Sequence, residues 1–413
     1  KTLSRVGRMP TTRICDLPRK LIGEKIVTRI PVTSLRQVRS TCKSWDALTK
    51  SWILAASTEQ FLGFMTMNSK VFSLRFRVKQ KGGLVDLSIH EVELLNKFDI
   101  SQVFHSQGIL LCVTKNKSKL VVWNPYLNQT RLIKPLRKFH VRDRYALGYD
   151  INDNHKILRF WDRCPGSQAV CEIYNLSCDS WKVLDVTTDW DIEYFRRGVS
   201  VKGNAYFYAH DKCDAEIGDF LVCFDFTREK FGPRLCLPFH ICCEECVTLS
   251  CVGVGDEQLA VLYYEEAGIS GILEIWVTTM IEPDCVSWSN FLKVDLRPFS
   301  HTGGVRFDES AGGSFFVDEQ EKVAVVFDLD GDLDGYLSNK TPRYQTAFII
   351  GEDGLFESVC LGEAPNLGVR CPTTGHIPQL HVPLLVCSSP FRPSLLSLLQ
   401  VNQPQLKRQR RSV

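Results

Sequence analysis

The sequence predicts a multidomain α+β chain, with a small all-α head at the N-terminus and an all-β, propeller-type body behind it. Three observations predict this. Apolar residues recur at helical spacing between residues 17 and 45. From Phe61 onward, short apolar, β-branched and aromatic runs alternate with Gly, Asn, Asp and Pro. Within those runs a unit built around a central aromatic returns about every fifty residues.

The head comes first in the chain. Asp16 precedes Leu17-Pro18, and proline is tolerated at a helix start because its missing N–H would be unpaired there anyway. Ile22, Ile26 and Ile30 follow at intervals of four with Val27 beside them, which puts one apolar stripe on a helix. Pro31 ends that helix, since it has no donor and clashes with the preceding turn. Ser34 is placed to cap a second helix, on which Leu35, Val38, Cys42 and Trp45 continue along one face. Pro31 thus reads as a corner between two helices. Fewer than fifty residues bury little surface, so the stripes need a cover, either the rest of this chain or another protein.

The body repeats. KLVVWNPYLNQTRLI, CEIYNLSCDSWKVL, FLVCFDFTREKFGPRL and LEIWVTTMIEPDCVSWSNFLKVDL each carry a strand with a central aromatic, a turn and a second strand. The central aromatics Trp123, Tyr174, Phe224 and Trp276 lie 51, 50 and 52 residues apart. A further strand precedes each, at 109–113, 156–160, 203–209 and 258–264, and a weaker fifth copy runs from KVAVVFD through AFIIGEDGLFESVCL. Strands without intervening amphipathic helices argue for an antiparallel body. A period near fifty is the kelch-like propeller signature; a β-sandwich is the alternative.

Composition bounds the function. The 413 residues are 44% apolar and 23% charged, an ordinary globular balance, and no apolar run reaches the ~18 residues a membrane helix needs. No apolar core follows the basic N-terminus, so a secretory signal is not expected. The 17 cysteines then read as reduced thiols, most of them in strand-like runs such as LLCV and FLVCF, in an intracellular protein of cytoplasm and/or nucleus. The net charge of +3 is uneven: residues 1–50 carry +9 and the tail KRQRR (407–411) +4, which leaves −10 between them. A basic head suits nucleic acid or an acidic protein partner.

Two families enter on these residues. Leu17-Pro18, Leu21, Glu24, Ile26, Arg29-Ile30-Pro31, Ser34-Leu35, Arg39, Cys42-Lys43 and Trp45 fall in one register that closely resembles an F-box. The resemblance implies that Leu17, Pro18, Leu21, Ile22, Ile26, Ile30, Pro31, Leu35, Val38, Cys42 and Trp45 build the face that docks on the Skp-type adaptor of an SCF (Skp-cullin-F-box) ubiquitin ligase, and through it on cullin and RING subunits. Gly23 departs from a good helix and weakens it by ~1 kcal/mol relative to alanine. The segments VVWNPYLNQTRLI, YALGYD, EIYNLSCDSWKVLD, RGVSVKGNAYFYA, VSWSNFLKVDLRP and HVPLLV resemble the plant F-box-associated interaction domain of the kelch-related type. That resemblance implies a receptor that holds an unidentified protein for ubiquitination. The chain beyond Pro390 departs from it, and SLLSLLQVNQPQ with its basic end reads as a frayed tail, with a nuclear import signal in KRQRR as the alternative.

The expected division is a basic tail at 1–11, a helical head at 12–56, a connecting segment with first strands at 57–103, the propeller-like domain at 104–387 and a basic tail at 388–413. Competing chemistry is thin. Asp330, Asp332, Asp334 and Gly335 stand in EF-hand register, but Thr341 replaces the bidentate Glu, so a solvated loop is expected. His240, Cys242, Cys243, Cys246 and Cys251 lack a second paired zinc-ligand element. Neither metal nor cofactor is expected, and no hydrolase, zincin or phosphate-loop motif appears. A propeller-fold enzyme and a nucleic-acid binder with a basic head stand as alternatives. Trp190, Tyr194 and Phe195 are aromatic candidates for target contact or for core packing.

Overall fold

The structure is a computed structural model. It describes residues 17–27, 30, 34–56, 61–79, 83–115, 119–138, 142–162, 169–193, 196–213, 218–239, 245–253, 257–265, 271–302, 314–330, 344–364, 384–385, 394, 396 and 398.

Three helices form the head: α1 (Arg19–Lys25), α2 (Leu35–Arg39) and α3 (Lys43–Ala56). Pro18 stands just before α1 as its N-cap, and its carbonyl accepts the Ile22 N–H at 3.1 Å. The corner expected at Pro31, between α1 and α2, lies outside the described residues. Two expectations are corrected. Ser34 occupies the N-cap of α2 but makes no side-chain capping bond. The second helix is broken in two after Arg39. The Ser40 and Thr41 hydroxyls bond back to the Gln37 and Val38 carbonyls at 2.7 and 2.6 Å, offering these carbonyls a partner other than the next helical N–H. A new helix then starts with the Asp46 N–H on the Cys42 carbonyl at 3.1 Å.

The described strands make six antiparallel sheets. The first contains β1 (Phe61–Met67), β2 (Lys70–Val78) and β3 (Leu84–Glu91). The second runs β4 (Ile100–Ser106), β5 (Ile109–Thr114), β6 (Leu120–Asn124), β7 (Gln129–Ile133). The third is β8 (Arg144–Tyr149), β9 (His155–Asp162), β10 (Ala169–Asn175), β11 (Ser180–Leu184). The fourth has β12 (Trp190–Asp191), β13 (Val199–Val201), β14 (Asn204–Asp211), β15 (Phe220–Asp225) and β16 (Lys230–Leu235). The fifth is β17 (Glu245–Val252), β18 (Gln258–Glu265), β19 (Ile272–Glu282), β20 (Cys285–Asp295), and the sixth β21 (Ser314–Asp318), β22 (Val323–Asp330), β23 (Tyr344–Gly351), β24 (Phe356–Glu363). A last strand, β25 (Leu384–Leu385), returns to pair with β1, Met65 opposite Leu385, and becomes the first strand of the first sheet.

First strands touch around a ring: β4 meets β8, β8 meets β13, β13 meets β17, β17 meets β21 and β21 meets β25. Six blades closed by a strand from the far end of the chain are a propeller, which leaves only short, protected sheet edges. Hydroxyls tie neighbouring inner strands, Ser200 Oγ to the Leu147 carbonyl and Ser250 Oγ to the Phe315 carbonyl, the latter at 2.7 Å. On the outside, Trp181 Nε1 donates to the Lys134 carbonyl at 2.7 Å and Trp288 Nε1 to the Cys236 carbonyl at 3.0 Å. In these two units the tryptophan of the outer strand therefore fastens one blade to the link leaving the previous blade.

The central aromatics sit on third strands. Trp123, Tyr174 and Phe224 are buried, whereas Trp276 is half-buried. The weak fifth copy is the sixth blade. The segment 57–103 supplies three strands of a blade, so the propeller takes in the chain from Phe61. Among the described residues no helix is long and apolar enough to cross a membrane. Cys112, Cys171, Cys223 and Cys246 are buried, and burial pushes the Cys112 and Cys223 thiols up to about 12. Cys42, Cys178, Cys213, Cys236, Cys285 and Cys360 are exposed, so the expectation of buried thiols holds only in part.

Candidate functional site

Within the head, Ile22, Val27 and Leu48 are buried, with Leu17, Ile26 and Trp45 packed around them. The stripe expected on the first helix therefore forms the head's own small core. A second part of the expected face turns inward to the propeller. Leu35 is 1% exposed and sits in one apolar cluster with Phe64, Val71, Trp123 and Tyr126, with Ile30 packed against the same cluster. Of the two covers the sequence allowed for its stripes, the rest of the chain takes Ile30 and Leu35. What stays open is Pro18, Leu21 at 42% exposure, and Cys42, with Val38 half-buried. Periodicity shows which positions are apolar; it carries no signal for which surface covers each of them.

Two arginines fix the seat. The Arg39 guanidinium lies 4.0 Å from the centre of the Tyr126 ring, donates to the Tyr126 carbonyl at 3.4 Å and pairs with Asp46 at 2.7 Å. Arg36 donates to the Asn128 carbonyl at 3.4 Å. Burial raises the Tyr126 phenol above its ordinary range, and the Arg39 charge pulls it partly back. Neither Tyr126 Oη nor Trp123 Nε1 finds a hydrogen-bond partner among the described residues.

The same turn also holds the C-terminal end. Asn124 is fully buried and donates both amide hydrogens to the Ser394 and Leu396 carbonyls, at 3.0 and 2.9 Å, while its Oδ1 accepts from the Leu127 N–H. Gln129 Oε1 accepts from the Leu398 N–H at 2.9 Å, and Leu398 is buried among Phe104, Ile109 and Tyr174. The reading of SLLSLLQVNQPQ as a frayed tail is thereby corrected for residues 394, 396 and 398, while KRQRR lies outside the described residues. A buried amide cannot go unpaired cheaply, so Asn124 and these carbonyls require each other.

The other candidates separate. Trp190 is buried with its ring 4.7 Å from Phe231, so it is core; Tyr194 and Phe195 lie outside the described residues. So do Asp332, Asp334, Gly335 and Thr341, and His240, Cys242 and Cys243. Among the described residues no group of three or more His, Cys, Asp or Glu is placed to hold a metal ion.

Comparison with known proteins agrees with this architecture. The family described as F-box associated beta propeller domain matches residues 62–397. The match includes the first blade and runs to residue 397, so the expectation that the chain departs from the family beyond Pro390 is corrected as far as that residue. The Arabidopsis thaliana F-box/kelch-repeat protein At1g24800 is 54% identical over 94% of this chain and 92% of its own length. F-box/kelch-repeat protein At3g13680, also of Arabidopsis, is 47% identical over 95% and 98%. Putative F-box protein At4g17200, from the same plant, is 46% identical over 94% and 100%. A chain of Kuenenia stuttgartiensis hydrazine synthase overlays at a TM-score of 0.32 with 9% identity, over 70% of this chain and 76% of that one, too weakly to bear on either fold or function. With six blades closed by a C-terminal strand, a helical head and relatives similar from end to end, the chain belongs to the plant F-box proteins that carry an F-box-associated β-propeller domain.

Proposed function

We propose that this chain is the substrate-recognition subunit of an SCF-type ubiquitin ligase. Its head docks on a Skp-type adaptor, which brings cullin and RING subunits, and its propeller holds the protein to be ubiquitinated. It carries no chemistry of its own, uses no cofactor, and works inside the cell, in cytoplasm or nucleus, apart from membranes and nucleic acid. The single observation that carries this reading is the union, in one chain of this family, of an F-box-patterned head with a propeller against which the head is seated. Pro18, Leu21 and Cys42, left open by that seat, are the first candidates for adaptor contact. The basic excess of the head suits an acidic adaptor and speeds encounter.

Retention of the full chain on an immobilised Skp-type adaptor tests this. The parent chain is retained, a Leu17→Ala/Pro18→Ala variant is not, and Leu21→Asp, which alters an exposed position, weakens retention by about tenfold as loss of a central apolar contact does. Equal retention of parent and variants overturns the docking assignment.

A further inference from the structure

Antiparallel blades have two unlike ends. Turns after first and third strands lie at one end; loops after second strands and links between blades lie at the other. The first end is tight: Gln107-Gly108 and Lys202-Gly203 both take positive φ, the geometry of two-residue hairpins. The head is docked at this end, on Tyr126 and Asn128.

At the other end, the second and third blades carry a basic strip with an unusual support. Lys115 and Lys119 flank the β5–β6 loop, and Leu120 pairs with Ile133, which sets Lys119 beside Lys134 at the start of the link to the third blade. The link's backbone is clamped from beneath. The Arg159 guanidinium, fully buried, donates to the Arg137 and Lys138 carbonyls at 3.0 and 2.9 Å, while Trp181 takes the Lys134 carbonyl. Buried Asp143 and Glu172 balance its charge at 2.9 and 3.1 Å. With its carbonyls held inward, the link leaves Lys134, Leu136 and Lys138 exposed, next to exposed Leu132. Glu91, Glu93, Lys97, Asp99 and Asp185 are also exposed around this end, so the positive charge is concentrated on Lys115, Lys119, Lys134 and Lys138.

Resting on the receptor reading above, we infer that this strip, remote from the head, is the target-recognition surface and that it takes an acidic protein segment with apolar side chains. Lysines supply the charge complement to carboxylates, and Leu132 and Leu136 supply apolar contact that a phosphate backbone does not use. Among the described residues the large exposed apolar side chains include no tryptophan or phenylalanine, and the one exposed tyrosine, Tyr344, belongs to the sixth blade, which favours protein over nucleic acid at this strip.

The test uses the full chain and two probes, a fluorescent Glu/Leu peptide and a mixed-sequence DNA duplex, with adaptor retention measured on every variant. Lys134→Glu/Lys138→Glu weakens peptide binding by about tenfold, and binding falls with salt, as expected for screened surface charge. Arg228→Glu/Lys230→Glu, an equal charge change at the tight end, alters it less than about twofold. Equal loss in both double variants, no loss in either, or tighter binding to DNA than to peptide overturns the inference. If these occur while the adaptor still retains the chain, the strip assignment fails and the receptor reading stands; if the parent chain is not retained, the receptor reading fails.

Discussion

The head and the propeller keep their apolar side chains from water by different means. Propeller strands such as β5, β6 and β15 are buried along their whole length, because each lies between neighbouring strands within a blade and between neighbouring blades. Every blade thus lends its neighbours a surface, and closure by β25 completes the circle. Among its described residues the head has three buried apolar side chains of its own and places a fourth, Leu35, inside the propeller. A core of that size falls short of what an independent domain needs. The propeller is therefore self-sufficient and the head is not, and the substitutions below are ordered by how hard they press on that difference.

The largest effect belongs to the propeller's charged centre. Arg159→Met removes the buried guanidinium that pairs with both Asp143 and Glu172, leaving them only Tyr145 and Arg137 among these contacts, which costs ~3–5 kcal/mol. Thermal unfolding followed by circular dichroism gives the loss, and a drop below 1 kcal/mol would show that water reaches the pair. Leu35→Ala follows at ~2–4 kcal/mol, from lost burial and the cavity left behind. Hydrogen exchange locates the damage: protection falls in both α2 and the Trp123 strand, whereas Leu48→Ala exposes the head alone. If Leu35→Ala loosens only the head, the two regions are less coupled than their shared cluster implies.

Acid separates the two regions in another way. Burial, with the nearby His155 adding to it, lowers His105 to about 4, and His155 is lowered by burial as well. Between the unfolded value of 6.5 and about 4 the unfolded chain binds a proton that the folded chain refuses, so stability is complete above pH 6.5 and declines below it. The slope approaches ~1.4 kcal/mol per pH unit for each such histidine. Residues 17–56 contain no histidine, so acid acts first on the propeller. His105→Asn flattens the profile; an unchanged slope in chemical denaturation across this window refutes the assignment.

How much of this was legible beforehand follows from which interactions are local. The fifty-residue period located third strands at Trp123, Tyr174, Phe224 and Trp276, because each repeat must bury the same face against the same neighbours. It gave no sign of the first blade, whose opening strand comes from Leu384-Leu385 nearly the whole chain away. The register of apolar residues marked the head, and the family pattern marked its docking face, yet neither could tell that Leu35 would face inward while Leu21 stayed open. The link clamped by Arg159 left no periodic trace, since its contacts run through main-chain carbonyls that every residue has. Asn124 is similar: its value lies in two carbonyls some 270 residues downstream.

The smallest effect is the most discriminating about the seam. Arg39 stacks on the Tyr126 ring, but the phenol hydroxyl reaches no partner among the described residues. A buried hydroxyl without a partner opposes folding, whereas the ring beneath it holds the guanidinium. Tyr126→Phe keeps the ring and removes the hydroxyl, so stability is unchanged or rises by a few tenths of a kcal/mol. Tyr126→Leu keeps apolar bulk but removes the π face, and costs about 1 kcal/mol through the lost stacking of Arg39. Repeating both in an Arg39→Ala background isolates the pair: the difference between Phe and Leu shrinks if the ring acts through Arg39. Should the difference persist there, packing of the ring against Leu35 and Trp123 holds the head in place, and the arginine serves the Asp46 pair within the head instead.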